Sequence, residues 1–328
     1  MKKFEIILMG LIMLALPFKS VWGQAKTGTA GAKFLQVGVS ARAVGMGEAF
    51  LGIADDASAI FYNPAGLTWV QGKQAMFTHI SYPADIRFEF GSFVFPFPKL
   101  GGVLGLGVFA LDAGDILLTD YAHPDPDFSS GQTFSPKGYA VTVSYARFLT
   151  DRLSLGFTGK YIAELYGDDI FNVTNGVNEN FRATGWAADV GTIYNTGYRG
   201  LRIGMLISNF GPDLKFVREG YPLPIDFKFG GSIDIVNNHQ HRAVFAAELS
   251  HPSDNLEKYR AGVEYWFDNW VALRAGNQFT HDDYVGGITL GAGLKFKNLI
   301  AKEVKIDYAF QDSGVLSTFH RFSLLLSF

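Results

Sequence analysis

The sequence predicts an all-β protein, a transmembrane antiparallel β-barrel of about fourteen strands with an N-terminal plug containing a short helix. Three observations carry this prediction. From about residue 75 onward, apolar and polar residues alternate at period two, as in Leu153, Leu155, Phe157 and Tyr161 against Ser154, Gly156, Thr158 and Lys160. The connections between such runs sort by length, short at every second position and long at the others. Ahead of the alternation stands one stretch of different character, DDASAIFYNPAGLTWV at residues 55–70.

The first residues form the first segment. Lys2 and Lys3 make a positive start, Ile6 to Leu16 an apolar core, and Val21-Trp22-Gly23 a stretch ahead of a cut before Gln24, which together predict a secretory signal peptide over 1–23. The apolar core is too short to span a bilayer as a stable helix. Segments 24–70 and 71–328 are then read as plug and barrel. The 328 residues are 48% hydrophobic, include 30 Phe and carry a net charge of only -3, so no basic surface suits nucleic acid. Cysteine is absent, which excludes a disulfide framework, a thiolate metal site, a cysteine nucleophile and a lipoprotein anchor.

The plug comes next. Asp55 or Asp56 can cap a helical turn over Ala57 to Phe61, and Asn63, preceding Pro64, is pushed out of helical conformation. Gly66 is expected to allow a backbone turn into the first strand. Upstream, FLQVGVSARAVGMGEAFLGIA is rich in Gly and Ala, which suits close packing inside a lumen; a leader packed beneath the barrel is the other reading of this composition.

The strands are placed at 75–82, 86–96, 101–112, 137–150, 152–166, 182–195, 199–211, 225–236, 242–251, 257–267, 269–280, 285–297, 302–311 and 318–328. The even-numbered connections, such as Thr150-Asp151 and Asp268-Asn269, are short, whereas 113–136, 167–181 and 212–224 are long and all odd-numbered. Periplasmic turns of outer-membrane barrels are short and extracellular loops long; a soluble sandwich has no reason to sort its loops this way. Tyr145, Phe148, Tyr161, Tyr166, Trp266, Phe267 and Trp270 stand near strand ends, where interfacial aromatic girdles are expected.

Charges follow the polar register: Arg87, Glu89, Lys160, Glu164, Asp189, Asp226, Lys228, Asp234, Glu248, Arg260, Glu264, Arg274, Lys295, Lys305, Asp307 and Arg321. An Arg or Lys facing lipid near the midplane costs about 2 to 4 kcal/mol, so these side chains are expected to face the lumen and pair there. Arg42 is expected to join them through a carboxylate such as Glu164. The two imidazoles of Asn237-Asn238-His239-Gln240-His241 lack a third ligand and read as a solvated turn. Gly105-x-Gly107 and Gly291-x-Gly293 lie inside strands, where they thin the backbone and cannot cradle phosphate. With no Gly-x-Ser-x-Gly elbow, the reading is of a non-enzyme without metal or cofactor.

Residues 32–67, AKFLQVGVSARAVGMGEAFLGIADDASAIFYNPAGL, resemble the N-terminal signature of the PorV/PorQ family, a branch of the FadL-like outer-membrane barrels. The resemblance rests on Phe34-Leu35, Ala41-Arg42, Met46-Gly47, Ala49, Asp56-Ala57 and Asn63-Pro64-Ala65. It implies a hatch containing Arg42, Met46, Gly47, Asp56, Asn63, Pro64, Ala65 and Gly66. The ending RFSLLLSF, with Phe328, resembles the strand signal read by the barrel assembly machinery, which would place the protein among the lipids of a bacterial outer membrane. FadL-like barrels admit hydrophobic small molecules. The PorV branch instead implies type IX secretion components and secreted proteins as partners, received by their C-terminal domains.

Overall fold

The computed structural model describes residues 27–82, 86–117, 133–172, 177–216, 218–279, 287–297, 301–312, 314 and 318–328, without the side chains of 168–180; the expected signal peptide lies outside them. The strands are β1 (Gln74–Ser81), β2 (Arg87–Phe97), β3 (Gly102–Asp112), β4 (Ile116–Leu117), β5 (Thr133–Phe134), β6 (Lys137–Phe148), β7 (Leu153–Asn172), β8 (Val177–Asn195) and β9 (Arg202–Phe210). They continue with β10 (Leu214–Phe216), β11 (Glu219–Tyr221), β12 (Asp226–Asn237), β13 (His241–Pro252), β14 (Lys258–Phe267), β15 (Val271–Phe279), β16 (Ile288–Phe296), β17 (Glu303–Asp312) and β18 (Thr318–Ser327).

Fourteen of these close a barrel in which each strand pairs with its sequence neighbour, and β1 meets β18 from Gln74↔Ser327 to Ser81↔His320. The pairs β4–β5 and β10–β11 are hairpins within the long connections. Closure leaves the sheet without a free edge, the condition for strands that cross lipid. Short turns gather at the end where Phe328 N donates to Lys73 O (2.9 Å). Asp268 and Asn269 make one of them in the left-handed region, at φ 49° and 58°. By the loop rule this end is periplasmic, and the β10–β11 hairpin is extracellular.

The expected strands lie within a few residues of the observed ones, except that β7 and β8 run on to Asn172 and back from Val177. Register shifts at Leu165/Gly167 and Gly167/Ile170 mark where this hairpin departs from regular pairing. A hairpin that rises past the wall has no lipid to enforce alternation, so its length does not show in the sequence.

Facing is as expected in β12 to β18. Phe227, Phe229, Val263 and Leu290 are exposed outward, while Glu264 is fully buried and Lys228 and Lys295 are partly so. At Arg87 and Glu89 of β2 it is inverted, although Phe77, Leu106 and Val108 of the flanking strands still face outward. Ile80, Phe88, Phe90, Val94 and Phe109 are buried inside, and Arg87 and Glu89 face outward, where Glu89 pairs with His79 Nδ1 (2.6 Å). Here the lumen is filled by the apolar side chains of Ile60 and Phe61, so the inner face is the greasy one. The girdle assignment also fails at three places: Trp266 is buried beneath Arg274, Phe148 packs on Trp69, and Tyr166 packs on Phe216.

Single cysteines in this cysteine-free chain test the facing. Cysteine at Phe227, Phe229, Val263 or Leu290 is expected to react only with a lipid-soluble maleimide, and at Lys228 or Lys295 with an aqueous one. At Glu264 neither should react, because the site is covered. Equal aqueous labelling of both registers would rule out the barrel.

Candidate functional site

Residues 31–70 run down the inside of the barrel. Near the extracellular end Gly31 N donates to Pro222 O (3.1 Å) and Lys33 pairs with Asp254. At the periplasmic end Trp69 packs edge-on against Phe148, with the Arg202 guanidinium 4.4 Å from its ring centre. In between lie a 3-10 turn (Lys33–Gln36), the helical turns Ala41–Val44 and Ala59–Tyr62, and a 3-10 stretch (Pro64–Trp69). None is long enough to be stable alone, so the barrel wall must hold their shape.

Arg42 is the centre of that attachment. Ser40 starts its helical turn by accepting from Ala43 N, and Ala41 N donates to Ser323 Oγ on β18 (2.9 Å). The Arg42 side chain then reaches β14, donating from Nε and Nη2 to the two oxygens of Glu264 (2.8 Å each). Its Nη1 donates to Asp55 (2.7 Å) and Asp56 (2.8 Å). Arg274 supports Glu264 from the other side (2.7 Å) and is itself tied to Asp307 (2.7 Å). Burial opposes the Arg42 charge, but Glu264 and Asp55, with Asp56, outweigh it and hold its pKa above the ordinary value.

Two further clamps lie above. Arg260 bridges Glu48 of the plug (3.3 Å) and Glu248 of β13 (2.8 Å), whose other oxygen accepts from Phe50 N and Leu51 N. Arg321 Nε donates to Gly38 O (3.2 Å). Tyr62 accepts from Ser40 N (3.3 Å), and burial, reinforced by Glu48, pushes its phenol pKa well up.

Asn63 is fully buried and extended (φ −167°), as its place before proline demands. Its amide donates to Leu51 O (3.3 Å) and Thr192 O (3.1 Å) while its oxygen accepts from Ala65 N (3.2 Å). Pro64 opens the following 3-10 stretch, where its missing N–H costs nothing.

Several expectations need correction. Arg42 pairs with Glu264, not Glu164; Glu164 instead accepts from Tyr221 of the β10–β11 hairpin (2.5 Å). The helical turn starts at Ala59, with Asp56 Oδ1 accepting from Ser58 N and Oγ ahead of it. Gly66 makes no turn into β1: it lies within the 3-10 stretch, and the position takes glycine because an added Cβ would sit 2.0 Å from Ala54 O.

The other singled-out residues have these places. Met46 is fully buried, and Gly47, at φ 66°, donates its N–H to Thr289 Oγ1 (2.9 Å). Lys160 meets Asp189 and Asn209; Asp226 accepts from Ser250 and lies 3.8 Å from Lys228; Lys295 meets Glu303. Phe328 follows β18 at the periplasmic rim.

Glu48 and Asp55 are plug carboxylates that the sequence reading did not assign to the site. The same holds for the glycine sockets at Gly156, Gly191, Gly262 and Gly276, where added Cβ atoms would strike the Pro64–Ala65 backbone, Asn63, Met46 and Gly47. The available signal was glycine recurring on the inward register of successive strands.

Two sizeable cavities among the described residues lie between plug and wall and share no lining residue. The lower, about 520 Å³, lies under Arg42 and Asp55; the upper, about 260 Å³, is bounded by Gly38, Glu48, Arg260 and Arg321. Among the described residues no group of three or more His, Cys, Asp or Glu could hold a metal.

The Asp55 carboxyl is buried, which would raise its pKa, but Arg42 and Arg202 overcome this and hold it below its usual range. Its contribution to plug seating is therefore complete above the unfolded value of about 3.9 and is lost as pH falls through the lower folded value. Planar-bilayer conductance is expected to stay constant from pH 6 to 5 and to rise only below about pH 4; a rise already complete above pH 5 would exclude Asp55 as the group responsible.

A closed fourteen-stranded antiparallel barrel with short turns at one end and an internal N-terminal segment has the architecture of an outer-membrane β-barrel. Its fold is similar to that of the Ralstonia pickettii toluene transporter TbuX over 88% of this chain and 97% of that one (14% identity, TM-score 0.58). It is also similar to the Pseudomonas putida toluene transporter TodX over 82% and 92% (12% identity, TM-score 0.50). These likenesses concern the fold alone. No curated protein sequence matches the chain. The family model described as type IX secretion system protein PorV matches residues 21–252, and the chain belongs to that family.

Proposed function

We propose that the protein serves type IX secretion as an accessory and receptor for secreted proteins, a docking body in the outer membrane and not a conduit. The observation that carries this reading beyond family membership is the clamped lumen, where Arg42, Arg260 and Arg321 tie the plug to the wall at three points. A barrel closed in this way offers partners its rim and loops. The rival role, a channel for hydrophobic small molecules, calls for a mostly apolar path, whereas the two sizeable cavities described above are lined by Arg, Lys and carboxylates.

Deleting the gene should leave secreted proteins that bear the shared C-terminal domain trapped in the periplasm, and the cloned gene should restore their export. Cross-linking in the complemented strain should recover type IX components on this protein. Normal surface display of such proteins in the deletion strain, combined with impaired uptake of toluene-like compounds, would overturn the proposal in favour of the channel.

A further inference from the structure

The lower lumen cavity carries more positive charge than the fold requires. Its lining includes six cationic side chains, Arg42, Arg242, Lys295, Lys297, Lys302 and Lys305, against two carboxylates, Asp55 and Glu303. The side chains alone give an excess of four positive charges, 6 − 2, and the α-carboxylate of Phe328 in the same lining reduces it to three, in a chain whose formal net charge is -3. Charges of one sign lining a low-dielectric cleft focus the field and concentrate counter-ions there.

The arrangement of these cations is as telling as their number. Lys295 on β16 and Lys305 on β17 stand directly opposite each other, a like-charge pairing that destabilises a sheet. They share a single carboxylate, Glu303, at 2.8 and 3.1 Å. Lys297 and Lys302 are exposed at the mouth, and among the described residues neither has an ion-pair or hydrogen-bond partner. The nearest carboxylate to Arg242 is Asp234, at 3.9 Å. Arg42 is different, since its three carboxylates satisfy it fully, and it forms a fixed roof. The indoles of Trp69 and Trp266 complete the wall. Pairing within the protein explains Arg42 but leaves the lysines at the mouth without an internal purpose.

We infer that this periplasmic vestibule binds a small polyanion carrying phosphate or carboxylate groups. Its volume of about 520 Å³ suits a small-molecule ligand, and its opening among the short turns makes the periplasm the side of entry. Lys297, Lys302, Lys295 and Lys305 would supply the charge-assisted hydrogen bonds, and an anion between Lys295 and Lys305 would relieve their mutual repulsion. The same phosphate chemistry could come from a soluble compound or from a lipid headgroup of the inner leaflet.

The test uses the full-length protein in phosphatidylcholine nanodiscs, titrated calorimetrically with inorganic tripolyphosphate and, separately, citrate. Binding is expected in the micromolar range and should weaken as sodium chloride rises. Lys297→Gln with Lys302→Gln should lower affinity about tenfold or more, while Lys99→Gln, an exposed periplasmic lysine outside the cavity, should leave it unchanged. The preferred probe identifies phosphate or carboxylate as the favoured group. Repeating the titration in phosphatidylglycerol discs separates the sources: reduced affinity supports the site with a headgroup as occupant, and unchanged affinity supports it with a soluble one. No binding of either probe at about 1 mM, an unaffected Lys297/Lys302 variant, or an equal loss in Lys99→Gln would overturn the inference.

Discussion

Arg42→Ala is expected to unseat the plug while leaving the barrel inserted. The substitution leaves Glu264, Asp55 and Asp56 facing one another in a buried space, with only Arg274 and the more distant Arg202 to offset them. Removing one partner of a buried, hydrogen-bonded charge cluster costs about 3 to 5 kcal/mol, because the remaining charges are uncompensated. Glu264→Gln should cost less, since Arg42 keeps Asp55 and Asp56 and Arg274 keeps Asp307. Planar-bilayer recordings should rank conductance as wild type, then Glu264→Gln, then Arg42→Ala. A deletion of Gly31 to Asn63 sets the upper limit. If Arg42→Ala, with insertion confirmed, conducts like wild type and its plug resists protease equally, the cluster does not hold the plug.

The strands were legible in the sequence because lipid imposes one rule on every outward residue, and fourteen repetitions of a weak pattern become a strong one. That rule constrains only the outside. Phe88 and Phe90 point inward and pack on Phe109, which meets Phe61 of the plug, and nothing local to β2 records the fact. The partner of Arg42 was illegible for a related reason. Glu264 lies 222 residues away, and Glu164 has the same side chain and the same inward register. Only the threading of the plug down the far side of the lumen distinguishes them. Asn63-Pro64, by contrast, was readable, because the steric restriction before proline acts within two residues.

The glycine sockets support the second large effect, expected from Gly276→Ala. An added Cβ would lie 2.1 Å from Gly47 N and 2.2 Å from Met46 C, contacts with backbone that no side-chain rotation can relieve. Gly262, directly opposite in the sheet, meets the same turn, 2.2 Å from Met46 O. The turn cannot simply slide, because Gly47 is held in the left-handed region and bonded to Thr289. Overpacking of this kind costs about 1 to 3 kcal/mol per site, and two sites against one turn should not add independently. The matched control is Gly159→Ala on β7, where nothing lies within 4 Å and the methyl group would face outward. Gly276→Ala should therefore raise conductance and expose the turn around Met46 to protease while heat-modifiable migration of the barrel on gels persists, and Gly159→Ala should change neither. Because this substitution leaves every charge in place, a conductance equal to that of Gly159→Ala would mean that the ion pairs alone seat the plug and that its shape against the wall contributes little.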